Sequence, residues 1–249
     1  MKKLLSAGCS FIYGSELSDS PQMYSTNSPS LKTWPALYAA GKNLEYKTCA
    51  FCGASNAGIT RYTINQIEIE KPDYVIVQWT FLSRYEIRLN RFDYDVNDSF
   101  YYALYPYQSK DYTNNEKHLE KVIDNLHPMI RDLSTFWYRF VDDDLSQIYY
   151  YLKTKLELAN YLRYKNIPFV FTDSQTINYS LLSKTSDKTL HNLFNLNRSI
   201  PNILFDSVGF IDFCKNKNFD FGINHPLELA HVAACDLIFD DIDQILQDS

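Results

Sequence analysis

Four short segments carry residues that could act together on an acyl group. Gly8-Cys9-Ser10 sets a hydroxyl in a tight turn, and Gly53-Ala54-Ser55-Asn56 offers a glycine amide. Gln78-Trp79-Thr80 offers polar side chains, and Asn224-His225-Pro226 offers an imidazole. A serine beside a histidine base is an activated nucleophile. N–H or O–H donors aimed at the same point stabilise the oxyanion that forms when it attacks a carbonyl. These segments lie far apart along the chain, so the elements between them decide whether they meet.

The chain has 249 residues, 45% of them hydrophobic, enough for one sizeable core. A single domain over 1–249 is the expectation. Strand-like apolar runs occur at 3–7, 46–51, 74–79, 167–172 and 202–205. The continuous run Tyr74-Val75-Ile76-Val77 suits a strand buried on both faces, as in a parallel sheet. Helical spacing covers 31–40, 55–71, 144–165 and 226–246, with Ser55 or Asn56 able to cap the second and Pro226 as first residue of the last. Strand alternating with helix predicts an α/β fold: a three-layer α/β/α sandwich with a doubly wound, mostly parallel sheet of about five strands. Residues 88–143 are too many for a simple crossover and read as an aromatic-rich insertion, helical over 117–133 with a break near His127-Pro128. Ligands bind beyond the carboxyl ends of the strands in such sheets. Each of the four segments either follows a strand or precedes the final helix, so all four should open on that one edge.

The ordered set resembles the SGNH (GDSL-like) hydrolase superfamily, in a form similar to short proteins of bacteria and their viruses. Gly8-Cys9-Ser10 at the N-terminus resembles the first block, Gly-Asp-Ser, with Cys9 in the Asp position. Gly53 resembles the glycine of the second block, and His225-Pro226 before the final helix resembles the fifth. The resemblance implies a flavodoxin-like sheet, Ser10 as nucleophile and His225 as base. The amides of Ser10 and Gly53 would be oxyanion donors, and no cofactor or metal would be needed. Two positions depart from the pattern. The third block has no Asn, leaving Thr80 as the best-aligned hydroxyl and Gln78 as an alternative amide donor. Gly222 stands where an Asp three residues before the histidine is expected, leaving Asp220 as the nearby acid, or a Ser10–His225 dyad oriented by a backbone carbonyl.

Other residues compete for roles. Cys9 is a better nucleophile by type, but adjacent side chains cannot face one point, so it reads as a small buried thiol. Glu228 and His231 imitate an acid–base pair at Glu-x-x-His spacing. His118, His127 and His191 read as surface or insertion residues. Arg84 and Glu86 either pair with each other or line the pocket mouth and bind substrate, together with Asn56. Cys49-x-x-Cys52 lacks the second pair a zinc site needs, and Asp142-Asp143-Asp144 suits a helix start better than a metal.

Composition narrows the partners. The net charge is −6 with 24 scattered Lys and Arg, which argues against nucleic acid. No apolar run approaches the roughly 20 residues that span a membrane. Five cysteines at irregular spacing suggest reduced thiols and a cytoplasmic protein. With 20 Tyr and 16 Phe, ordinary packing is expected first, and an aromatic wall for a sugar second. The reading is a serine esterase acting on a short acyl ester, such as an O-acetyl group on a carbohydrate. An SGNH-fold binding or structural protein without turnover is the alternative, and an acyltransferase a third.

Overall fold

The computed structural model describes residues 1–20, 28–89, 100–109 and 128–247. Five strands form one parallel sheet: β1 Lys3–Ala7, β2 Glu45–Thr48, β3 Tyr74–Trp79, β6 Phe169–Asp173 and β7 Asn202–Ile203. Their order is β2-β1-β3-β6-β7. This is the flavodoxin-like doubly wound arrangement, in which the order reverses beside β1. The chain is α/β, with helices on both faces of the sheet.

Side-chain alternation along β3 shows the two faces. Gln78 meets Trp34 in helix α2 (Trp34–Gly41), whereas its neighbour Trp79 packs edge-on against Tyr151 in the long helix α5 (Asp144–Tyr164). Successive strand residues point to opposite faces, so α2 and α5 lie on opposite sides. Helix α3 (Asn56–Glu70) packs on α5, and the last helix, α8 (Glu228–Gln247), packs on α2. Leu4, Leu5, Val75, Ile76, Val77 and Phe171 are all fully buried, which explains why the central strands show no polar alternation.

The strands expected at 3–7 and 74–79 form at those residues. The fourth begins only at Phe169. Pro168 has no N–H to give, although its carbonyl still accepts from Val75. The second and fifth are shorter than expected, ending at Thr48 and Ile203. The final helix starts at Glu228, not Pro226. Pro226 bridges Phe221, and the Leu227 N–H bonds the Asp220 carbonyl, so a turn holds this stretch before the helix begins.

The long connection after β3 opens with a hairpin that periodicity did not indicate. Strand β4 (Tyr85–Leu89) pairs antiparallel with β5 (Phe100–Leu104). Helix α4 (Pro128–Phe140) covers the residues that follow the expected break near His127-Pro128. The rest of the expected 117–133 helix lies outside the described residues. Helices α6 (Lys188–Asn197) and α7 (Phe210–Asn216) also went unpredicted.

Candidate active site

Strand β1 ends in Gly8, and the chain turns at once into α1, the single turn Ser10–Tyr13 with Cys9 as its N-cap. Gly8 has to be small, since a Cβ there would lie 2.6 Å from the Ile12 side chain. The turn sets Ser10 at the carboxyl edge of the sheet, 6% exposed. His225, equally enclosed, reaches it from the loop before α8. Its Nε2 lies 2.8 Å from Ser10 Oγ.

The group behind the histidine is Glu16. Its Oε2 is 2.9 Å from His225 Nδ1. The same carboxylate accepts three consecutive backbone N–H groups, from Ile223 at 3.1 Å, Asn224 at 3.0 Å and His225 at 2.9 Å. Burial acts to raise this carboxyl. The Asn224 and His225 amides and the His225 ring outweigh it, and the net shift is downward. Glu16 is therefore ionised at neutral pH and can only accept hydrogen bonds. His225 Nδ1 must then carry the ring proton, which leaves the Nε2 lone pair facing the Ser10 hydroxyl. Burial holds the imidazole below its ordinary pKa, Glu16 pulls the other way, and the Arg84 charge adds to the lowering. A neutral, oriented base beside a serine is the result.

Glu16 occupies this position at a local cost. Its φ is +71°, in the left-handed region, worth about 1–2 kcal/mol against a non-glycine residue. Hydrogen bonds to a charged acceptor contribute roughly 1.5–3 kcal/mol each, so the amide nest outweighs the strain. Gly222 completes the arrangement. A Cβ there would lie 2.8 Å from Glu16 Oε2. Glycine stands in the expected aspartate position because a carboxylate from another loop fills the space beside it.

Asp220 does not take part. It is exposed, its backbone carbonyl binds the Leu227 N–H, and the only carboxylate at His225 Nδ1 among the described residues is Glu16. The dyad oriented by a carbonyl is likewise replaced by a carboxylate. Glu228 and His231 separate: Glu228 Oε1 accepts the Ser18 N–H at 2.8 Å, and His231 Nδ1 accepts the Trp34 N–H at 3.3 Å in the first turn of α2. Burial pushes His231 down to about 3, so it remains a neutral acceptor. His118 and His127 lie outside the described residues.

The donor side is equally constrained. Neither the Ser10 nor the Gly53 N–H has a hydrogen-bond partner among the described residues. Gly53 sits at φ +76°, its carbonyl accepts from the Tyr105 hydroxyl, and a Cβ would meet that hydroxyl at 2.5 Å. Tyr105, just beyond β5, thus pins the glycine loop from the insertion. Gln78 is unavailable as a donor. Fully buried, it accepts from Trp34 Nε1 at 2.7 Å and donates to Ser174 at 3.0 Å. The Thr80 hydroxyl accepts from Arg84 Nη1 at 3.0 Å, which leaves its own proton to donate. Asn56 clamps the end of β3, accepting the Thr80 N–H at 2.8 Å, so its side chain braces two loops and does not face a ligand. Arg84 and Glu86 do not pair. Glu86 takes Arg61 in a two-pronged bond, 3.1 Å on each side. Asp142 and Asp143 bond Tyr85 and the start of α5, respectively.

Two substitutions test this wall. Gly53→Ala is expected to lower kcat/KM on an aryl acetate at least tenfold, because left-handed φ and the Tyr105 clash act together. Tyr105→Phe should cost about two- to tenfold, the range for one lost neutral hydrogen bond. Initial rates with both variants check the order of the effects.

No family model matches the sequence, and no curated protein matches it. Solved structures do. The psychrotrophic esterase EstA from Pseudoalteromonas sp. superposes with a TM-score of 0.51 at 10% identity, over 99% of this chain and 100% of that one. A carbohydrate esterase family 2 enzyme from Corynascus thermopiles (Myceliophthora fergusii) gives 0.51 at 14% identity, over 99% of this chain and 67% of that one. TesA gives 0.51 at 10% identity, over 98% and 100%. The chain has the SGNH (GDSL-like) hydrolase fold. In that fold the expected third-block Asn and fifth-block Asp are replaced here by Thr80 and Gly222. Glu16, from the loop after α1, is the carboxylate that reaches His225 Nδ1. Among the described residues no helix is long and apolar enough to cross a membrane.

Proposed function

We propose that the protein is a serine esterase acting on short acyl esters. The observation that carries this reading is the continuous chain Ser10 Oγ, His225 Nε2, His225 Nδ1 and Glu16 Oε2, with links of 2.8 and 2.9 Å. His225 takes the proton of Ser10 as Oγ attacks the ester carbonyl. Glu16 stabilises the imidazolium that results, and the Ser10 and Gly53 N–H groups receive the oxyanion, aided by the Thr80 hydroxyl. His225 returns the proton to the leaving alkoxide. The acyl-enzyme is then hydrolysed by water that His225 activates in turn. Asp220, Gln78 and Asn56 have no step in this sequence, and Glu86 is held by Arg61.

The cavity of about 700 Å³ between β7 and α8 lies away from this site. The likeness to a carbohydrate esterase supports an acetylated sugar as the alcohol part. The binding-protein alternative is disfavoured by the oriented, neutral base, which binding alone does not require. Transfer to a sugar in place of water needs the same triad and is separated by the acceptor that the acyl-enzyme chooses.

The test is hydrolysis of p-nitrophenyl acetate across pH. The base works when neutral, so kcat/KM should rise with pH through the folded pKa of His225 and level off above it. That pKa lies below the ordinary 6.5, so the midpoint of the acid limb should fall below pH 6.5. A limb above pH 7, or no turnover at any pH, would count against the reading.

A further inference from the structure

Arg84 follows β3 and lies against the Thr80 and Gly53 sides of the proposed oxyanion site. Its guanidinium bonds Thr80 Oγ1 at 3.0 Å and the Ala54 carbonyl at 3.4 Å, next to Gly53. It stacks over Phe81 at 4.7 Å and sits 5.8 Å from the Tyr105 ring that pins Gly53. Phe81 packs on Phe11, and Phe11 packs on the His225 ring. The charge is close enough to lower the His225 pKa.

Among the described residues this cation has no counter-charge. No carboxylate among the described residues reaches it, and Glu86, two residues on, is committed to Arg61. Both of its hydrogen bonds leave from Nη1. The Nε and Nη2 edge, the fork that receives a carboxylate or phosphate through two parallel bonds, is unpartnered. Neither atom is among the buried polar atoms lacking partners, so solvent reaches that edge. A rigid, aromatic-backed guanidinium kept free of acids in a chain of net charge −6 is a poor structural element and a good anion receptor.

We propose that Arg84 binds an oxyanion of the substrate, so that the ester processed here carries a carboxylate or phosphate beside the acyl group. The proposal rests on the esterase reading and narrows its substrate to anionic esters. The experiment uses three aryl acetates of one frame, 4-acetoxybenzoate, 4-acetoxyphenyl phosphate and neutral 4-acetoxybenzamide, with the wild type, Arg84→Gln and Arg84→Lys. The quantity read is the ratio of kcat/KM for each anion to that for the amide. Comparing this ratio between variants cancels intrinsic leaving-group reactivity. Arg84→Gln should lower the ratio about 10- to 100-fold for at least one anion, the effect of a charged hydrogen-bonded pair. Arg84→Lys should retain part of it, as a point charge without the fork. Loss confined to one anion identifies the oxyanion and supports the proposal. A ratio unchanged in Arg84→Gln, with all three esters slowed alike, would mean that Arg84 only braces the loops, and would overturn it. Failure of the wild type to hydrolyse any of the three overturns the esterase reading instead.

Discussion

Ser10→Ala and His225→Ala should each reduce ester hydrolysis by about 10⁶-fold, to the level that binding and oxyanion donors alone sustain. The two losses should not add. Nucleophile and base act in one step, so the double variant should be no slower than either single one. The 2.8 Å contact between Nε2 and Oγ requires this result if it is a working one. Ser10 and His225 are each 6% exposed at the carboxyl edge of the sheet, so truncating either leaves a void beside the strands without removing a strand residue. Circular dichroism of the variants should match the wild type. Parallel rate measurements on an aryl acetate decide the matter: independent, additive losses would mean that the two residues do not act as a unit.

Glu16→Gln should be the next largest effect, a fall in kcat of about 10³- to 10⁴-fold. An amide in place of the carboxylate can donate to Nδ1, which stabilises the tautomer with its proton on Nε2. The ring then offers Ser10 a donor in place of an acceptor. A second readout separates this role from bracing of the loop. Glu16 raises the His225 pKa, so its removal should move the acid limb of the residual activity to still lower pH. A purely structural role would lower activity without that shift. Gly222→Asp supplies the acid at the position the SGNH pattern expects, yet its Cβ would sit 2.8 Å from Glu16 Oε2. Alone it should therefore lower activity. Combined with Glu16→Ala it should recover part of the loss, since one carboxylate then replaces the other.

The sheet was legible because buried parallel strands leave continuous apolar runs, and Tyr74–Trp79 is such a run. Ser10, Gly53 and His225 were legible as an ordered set at the ends of predicted elements. Glu16 was not. It belongs to no strand or helix, its backbone is left-handed, and no spacing rule ties residue 16 to residue 225. The one available signal was negative: a glycine at 222 in place of an acid implies either no acid or one arriving from elsewhere. Tyr105 was hidden for a similar reason, as one tyrosine in an aromatic-rich insertion whose packing against Gly53 is purely tertiary. Gln78 misled because strand alternation decides its direction. Two residues before Thr80 and one before Trp79, it points into the α2 face and bonds Trp34. Asn56 misled because a polar residue at a helix start suits a ligand and a loop clamp equally well in sequence.

The most direct test of the Ser10–His225–Glu16 site is covalent capture. A serine hydroxyl 2.8 Å from a histidine base is the kind of nucleophile that a phosphonylating reagent captures. The protein is treated with a fluorophosphonate, and the adduct is located by mass spectrometry of its peptides. The expected result is a single phosphonyl group on Ser10, absent in Ser10→Ala and formed far more slowly in His225→Ala and Glu16→Gln. Intact wild type that stays unmodified, or a label on another residue that persists in Ser10→Ala, would contradict the account.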